Sequence, residues 1–124
     1  RLSEDCIQEM TFRHFTRKEF DCQQTGENDM QDEFIHSLDT LRHECGFSFR
    51  ITSGYRSPSH SIEARKAKPG VHGEGIAADI GTTDGYERYI IVKNAMAMGF
   101  SGIGLHKTFV HVDTRTTTPV VWTY

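Results

Sequence analysis

The sequence predicts an α+β domain in which helices pack on a small, mainly antiparallel sheet. Three observations carry this. Apolar residues recur at three- and four-residue steps from 29 to 45. A second stretch, beginning at Asp84, opens on a capping residue and stops at Gly99. Short apolar or alternating runs sit at 47–52 and 76–80 and then cluster beyond residue 100. Helices thus come early and in the middle, strands mostly late, and 124 residues suit one domain.

Taken in order, residues 1–28 form a polar N-terminal extension with scattered aromatics. Thr16-Arg17-Lys18-Glu19 has the spacing of a capping box and opens a short helix. Phe12, Phe15 and Phe20 pack that segment onto the body. In 29–45, Met30, Phe34, Leu38, Leu41 and Cys45 form the apolar stripe, Asp29 caps the start and Gly46 suits the exit. Phe47-Ser48-Phe49-Arg50-Ile51-Thr52 alternates like a half-buried strand. Residues 53–71 hold Gly54, Pro58, Pro69, Gly70 and several serines, and read as a long loop of the kind that often carries function. Ile76 to Ile80 reads as a strand, and Asp84-Gly85-Tyr86-Glu87 caps a helix running to about Met98. Strands follow near 101–104, 108–113 and 119–123, with Trp122 and Tyr124 closing the core, or Trp122 bordering a groove.

Composition narrows the function. With 36% hydrophobic and 25% charged residues the chain is globular rather than disordered. A net charge of -3 argues against a nucleic-acid binder. Arg50, Arg56, Arg65, Lys66 and Lys68 lie close in sequence, and most of them read as solvated loop charges. No apolar run approaches the ~18 residues of a membrane span. No secretory signal is read, and the start at Arg1 is compatible with removal of a leading segment. A monomer without nucleic-acid or membrane partners is expected. Cys6, Cys22 and Cys45 are odd in number and lack a CxxC, so reduced thiols are expected, with one bridge left open. No thiol nucleophile and no Ser-His-Asp nucleophile elbow is read.

The chemistry concentrates in two segments. In His72-Gly73-Glu74-Gly75-Ile76-Ala77-Ala78-Asp79, glycines let the chain leave a loop, turn and enter a strand carrying Asp79. Asp79 interrupts an apolar run, and a buried carboxylate needs a partner such as a metal ion. In Phe109-Val110-His111-Val112-Asp113, alternation puts His111 and Asp113 on one strand face. His72, Asp79 and His111 make a two-histidine, one-carboxylate set that suits zinc with its fourth position open.

Ser53-Gly54-Tyr55-Arg56-Ser57-Pro58, then His72-x-x-Gly75-x-x-x-Asp79, then Gly102-Ile103-Gly104 and Phe109 to Arg115 resemble the D-alanyl-D-alanine carboxypeptidase family of zinc peptidases. That family includes vancomycin-resistance dipeptidases, murein endopeptidases and phage endolysins, and its fold is shared by the hedgehog signalling domain. The likeness is strong over 47–115 and weak in the N-terminal third. The stretch from Ile62 to Gly70 is most similar to small phage-encoded members.

The resemblance implies a hedgehog/DD-peptidase-like fold and a single zinc peptidase domain over 1–124. It makes His72, Asp79 and His111 ligands of Zn2+, and Arg56 the residue that holds a substrate carboxylate or carbonyl oxygen. Two departures stand out. Gly70 replaces a serine two residues before His72, and Thr108 stands where many members carry an acidic general base. Asp113 is the first choice of base, with His106 and Glu74 behind it. Asp113 has a second available role, orienting His111 or pairing with Arg115. His60 reads as a solvated loop residue, and His14, His36 and His43 as surface residues.

The implied reaction is hydrolysis of an amide bond in the stem peptide or crossbridge of peptidoglycan, by a carboxypeptidase or endopeptidase. The protein would be made in a bacterial host cytoplasm and act on the cell wall, with virion association as a variant. The alternatives are a non-catalytic zinc-containing binding module and a virion component of the same fold.

Overall fold

The computed structural model describes residue 15, residues 17–55, residue 72 and residues 74–124. Helix α1 spans Asp32–Cys45 and α2 spans Gly85–Met98; the strands are β1 Arg50–Ser53, β2 Ala77–Gly81, β3 Gly102–Leu105, β4 Phe109–Asp113 and β5 Val120–Thr123. A 3-10 turn, Arg17–Phe20, precedes them. The sheet has the order β1-β2-β4-β3-β5, antiparallel throughout except for the parallel pair β3–β5. The α+β prediction, helices on a mainly antiparallel sheet, therefore holds.

Both helices end as the sequence predicts, on Gly46 and Gly99 in the left-handed region. Asp84 caps α2 by accepting from the Glu87 N–H at 2.9 Å. The start of α1 differs from expectation. Asp29 does not cap it, and the helix begins three residues later behind Gln31, which offers no side-chain cap. Residues 28–31 are committed elsewhere: Asn28 Oδ1 accepts from Met30 N, and Gln31 N donates to Gly75 O at 2.9 Å. The extended stretch that would have been the first helical turn instead braces the loop leading into β2.

The two faces of the sheet have different jobs. Ala78, Ile80, Ile103, Val110 and Val112 point to the helices and join one core with Phe34, Ile35, Leu38, Leu41, Ile91 and Ala95. Phe15 and Phe20 meet edge to face at 5.4 Å in the same core, whereas Phe12 and Thr16 lie outside the described residues. Leu38 is fully buried at its centre. Leu38→Ala is expected to lower the unfolding free energy by about 3 kcal/mol, read from the urea midpoint, because the cavity adds to the lost transfer energy. Cys22 and Cys45 are free thiols, buried and half-buried respectively; Cys6 lies outside the described residues. Among the described residues no helix is long and apolar enough to cross a membrane.

Candidate metal centre

The opposite face of the sheet carries the polar residues. Strand parity puts Ala77, Asp79, His111, Asp113, Gly102 and Gly104 on it together. Register then lines up Asp79 with His111, His111 with Gly104, and Gly104 with Trp122. One step along the sheet, Ala77, Asp113 and Gly102 form a second row.

His72 comes from the loop before β2. Gly75, at φ +76°, turns that loop back, donating to His72 O at 3.3 Å and accepting from Gln31 N. A side chain at Gly75 would run into the Asp29 carbonyl, so the turn needs glycine twice over, for its φ and for its space. The His72 ring is held from behind: its Nδ1 donates to Gly54 O at 2.8 Å, since a carbonyl can only accept. That fixes the tautomer and leaves the Nε2 lone pair facing Asp79, 3.3 Å from Oδ1.

His111 presents the other nitrogen. Its Nδ1 lies 3.0 Å from Asp79 Oδ1 and its Nε2 donates to Asp113 Oδ2 at 2.6 Å. One ligand atom from each of His72, Asp79 and His111 lies within 4.8 Å of the others, and all three residues are buried. Adjacent donors on a tetrahedral zinc stand about 3.3 Å apart, given metal–ligand bonds near 2.0–2.1 Å. The 3.0 and 3.3 Å separations fit that spacing, and the donor set is one zinc favours.

The electrostatics point the same way. Burial alone would raise the Asp79 pKa, but the His111 and His72 imidazoles beside it outweigh that and hold it at about 2. Burial likewise favours neutral His111, yet Asp113 and Asp79 overcome that and raise its pKa. Two carboxylates around one buried imidazole concentrate negative charge where a cation would sit.

Asp113 is fully buried, and each of its oxygens accepts two hydrogen bonds. Oδ2 takes His111 Nε2 and Arg115 Nη2; Oδ1 takes the backbone N–H and Nε of Arg115. Burial would raise its pKa, and the Arg115 and His111 bonds instead drive it well below the usual carboxylate range. The carboxylate fits because β3 offers no side chain beneath it: a Cβ at Gly102 would overlap both Asp113 oxygens. At Gly104 a Cβ would come within 2.7 Å of the Trp122 indole. Trp122 lies there, 5.1 Å from the His111 ring centroid, on the metal face rather than in the core.

Of the residues singled out from sequence, His72, Asp79, His111 and Asp113 come together here. Glu74 is exposed on the turn between His72 and Gly75. His106 is not among the three clustered ligands; it stacks on Phe109 at 4.5 Å with its Nδ1 against Thr108. Arg56, His60 and Gly70 lie outside the described residues. Sequence reasoning missed the Gly54 carbonyl, a backbone group with no residue signature. It also gave no reason for the Gly102 and Gly104 spacing, which becomes legible only once β3 is known to lie beside β4.

The sequence profile of the family described as Peptidase M15 matches residues 13–113. No curated protein matches the chain.

Proposed function

This chain belongs to the peptidase M15 family of zinc metallopeptidases, and on that premise we propose that it hydrolyses an amide bond in the peptide of peptidoglycan, as a carboxypeptidase or an endopeptidase. The observation that carries the reading is the convergence of His72, Asp79 and His111 on one point. Zinc, when bound, supplies Lewis acidity toward the scissile carbonyl and makes hydroxide available at neutral pH.

The chain's own residues divide the remaining work. His72 and His111 are held in opposite tautomers by Gly54 O and by Asp113, so each turns a lone pair to the metal position. We assign Asp113 the orienting role, because its lone pairs are occupied by His111 and Arg115. We assign proton transfer to Glu74, an exposed carboxylate on the turn that follows His72. Its charge also reaches Arg115, whose pKa is raised first by Asp113 and more weakly by Glu74. Arg56 is the proposed clamp on a substrate carboxylate or carbonyl oxygen, a task suited to a planar fork of donors. The reading draws support from Gly54, two residues before Arg56 in sequence, whose carbonyl accepts the His72 Nδ1–H.

Glu74→Gln is expected to keep zinc and lose about 10²–10⁴ in kcat, the range of a general base. Asp113→Asn is expected to weaken zinc binding itself by about 10–100-fold. Zinc titration and steady-state kinetics on both variants separate the roles; full activity in Glu74→Gln removes it from proton transfer.

The substrate assignment rests on the family likeness, and the stretch from Ile62 to Gly70 supports a phage-encoded protein, made in a bacterial cytoplasm and acting on the wall in lysis or entry. Mass spectrometry of purified muropeptides, with zinc and after chelation, tests it. Loss of one terminal residue identifies a carboxypeptidase, and cleavage of stem or crossbridge an endopeptidase. Intact muropeptides beside zinc-loaded protein would favour a binding role instead.

A further inference from the structure

We propose that Arg115 is a positioning residue of the metal centre, locking Asp113 so that His111 can turn only its Nδ1 to the metal, with Trp122 as the cover that holds Arg115 in place. The inference rests on the reading of His111 as a ligand and goes one step behind it.

Asp113 is the last residue of β4. A carboxylate there, on a single Cβ–Cγ bond, would ordinarily be free to rotate. Here Arg115, two residues on, folds back along the same face. It takes Oδ1 with Nε at 2.9 Å and Oδ2 with Nη2 at 2.7 Å, a two-point fork that fixes the carboxylate plane. Its own backbone N–H adds a third bond to Oδ1 at 3.1 Å. With the plane fixed, the remaining site on Oδ2 points at His111 Nε2.

Arg115 is restrained in turn. Its guanidinium lies 4.9 Å over the Trp122 ring, a cation–π distance, and its carbonyl accepts from Ser101 Oγ. The same indole reaches the His111 ring, so Trp122 bridges the end of the device and the ligand it serves. Gly102 and Gly104 leave the space in which carboxylate and indole lie. The arrangement is over-determined for a surface salt bridge. The Asp113 side chain is fully buried, and only about a quarter of the Arg115 side chain is exposed. A lone ion pair of that kind contributes little unless its geometry is constrained.

The test is zinc affinity of the folded protein, measured by competition with a chromophoric chelator, on Arg115→Gln, Arg115→Lys and Trp122→Leu, with circular dichroism to confirm folding. Arg115→Gln is expected to raise the zinc Kd about 10–100-fold, the usual effect of losing a partner of a metal-bound histidine's support. Arg115→Lys keeps the charge without the fork and should recover part of that loss; Trp122→Leu should cost a few-fold. On muropeptides at saturating zinc, kcat should fall in Arg115→Gln with KM little changed. A merely structural role would lower the unfolding midpoint and leave the Kd of the folded protein alone. Wild-type zinc affinity in folded Arg115→Gln and Arg115→Lys overturns the proposal. Because the zinc arm needs no substrate, wild-type protein that binds zinc but leaves muropeptides whole would remove the peptidase reading without touching this result.

Discussion

His111→Ala is expected to abolish hydrolysis and to cut zinc affinity at least a hundredfold while leaving the fold intact. The reasoning starts from the size of zinc binding. Four-ligand protein sites hold zinc with about 10–16 kcal/mol, so one ligand accounts for about 3 kcal/mol, or roughly two decades in Kd. The fold survives because Asp113, the partner that loses its histidine, keeps its three bonds from Arg115. A buried carboxylate stripped of every partner would cost several kcal/mol, but this one stays paired. Asp79→Ala should cost at least as much zinc affinity, since it removes the one carboxylate ligand, whose Oδ1 lies beside both imidazoles. Calorimetric zinc titration alongside thermal melts of the metal-free proteins checks both halves. Wild-type zinc affinity in either variant would take that residue out of the site.

Gly102→Ala carries the second large effect, and it acts without touching a ligand. The added methyl would overlap both Asp113 oxygens. Either the carboxylate swings out and leaves Arg115 and His111, or β3 moves off β4. Overpacking of this kind costs about 1–3 kcal/mol, and unpairing a buried charge adds a further 3–5 kcal/mol. A loss of about 3 kcal/mol or more in unfolding free energy is therefore expected, together with weakened zinc binding. Gly85→Ala serves as the control, because nothing lies within 4 Å of a Cβ there and the position opens α2. It should be neutral or slightly stabilising. A double-mutant cycle sharpens the point: with Asp113→Ala in place, the steric part of the Gly102→Ala penalty should disappear. Additive penalties would show that the glycine is needed for some other reason.

Much of the fold and of the site is legible in the sequence. A charged residue inside Ile76-Ala77-Ala78-Asp79-Ile80 marks Asp79 as special because an apolar run has no other use for it. Alternation in Phe109 to Asp113 puts His111 and Asp113 on one face by the strand's period alone. Both helix ends follow from glycine, and the start of α2 from Asp84. The start of α1 was missed because the competing use of 28–31, bracing Gly75, is a contact across more than forty residues of sequence. The same applies to the floor of the site. Gly102 matters because it faces Asp113, and that pairing depends on the strand order, which no local pattern encodes. The sequence leaves Trp122 between the core and the border of a groove, because a strand aromatic suits either. It lies on the metal face because β5 runs parallel to β3 and sets it opposite a glycine.

Zinc K-edge X-ray absorption on the purified protein tests the central claim most directly. The account predicts one zinc per chain with imidazole nitrogen and carboxylate oxygen near 2.0–2.1 Å, consistent with His72, His111 and Asp79. Absence of zinc, or a sulfur shell at about 2.3 Å placing the metal on cysteine, would contradict it.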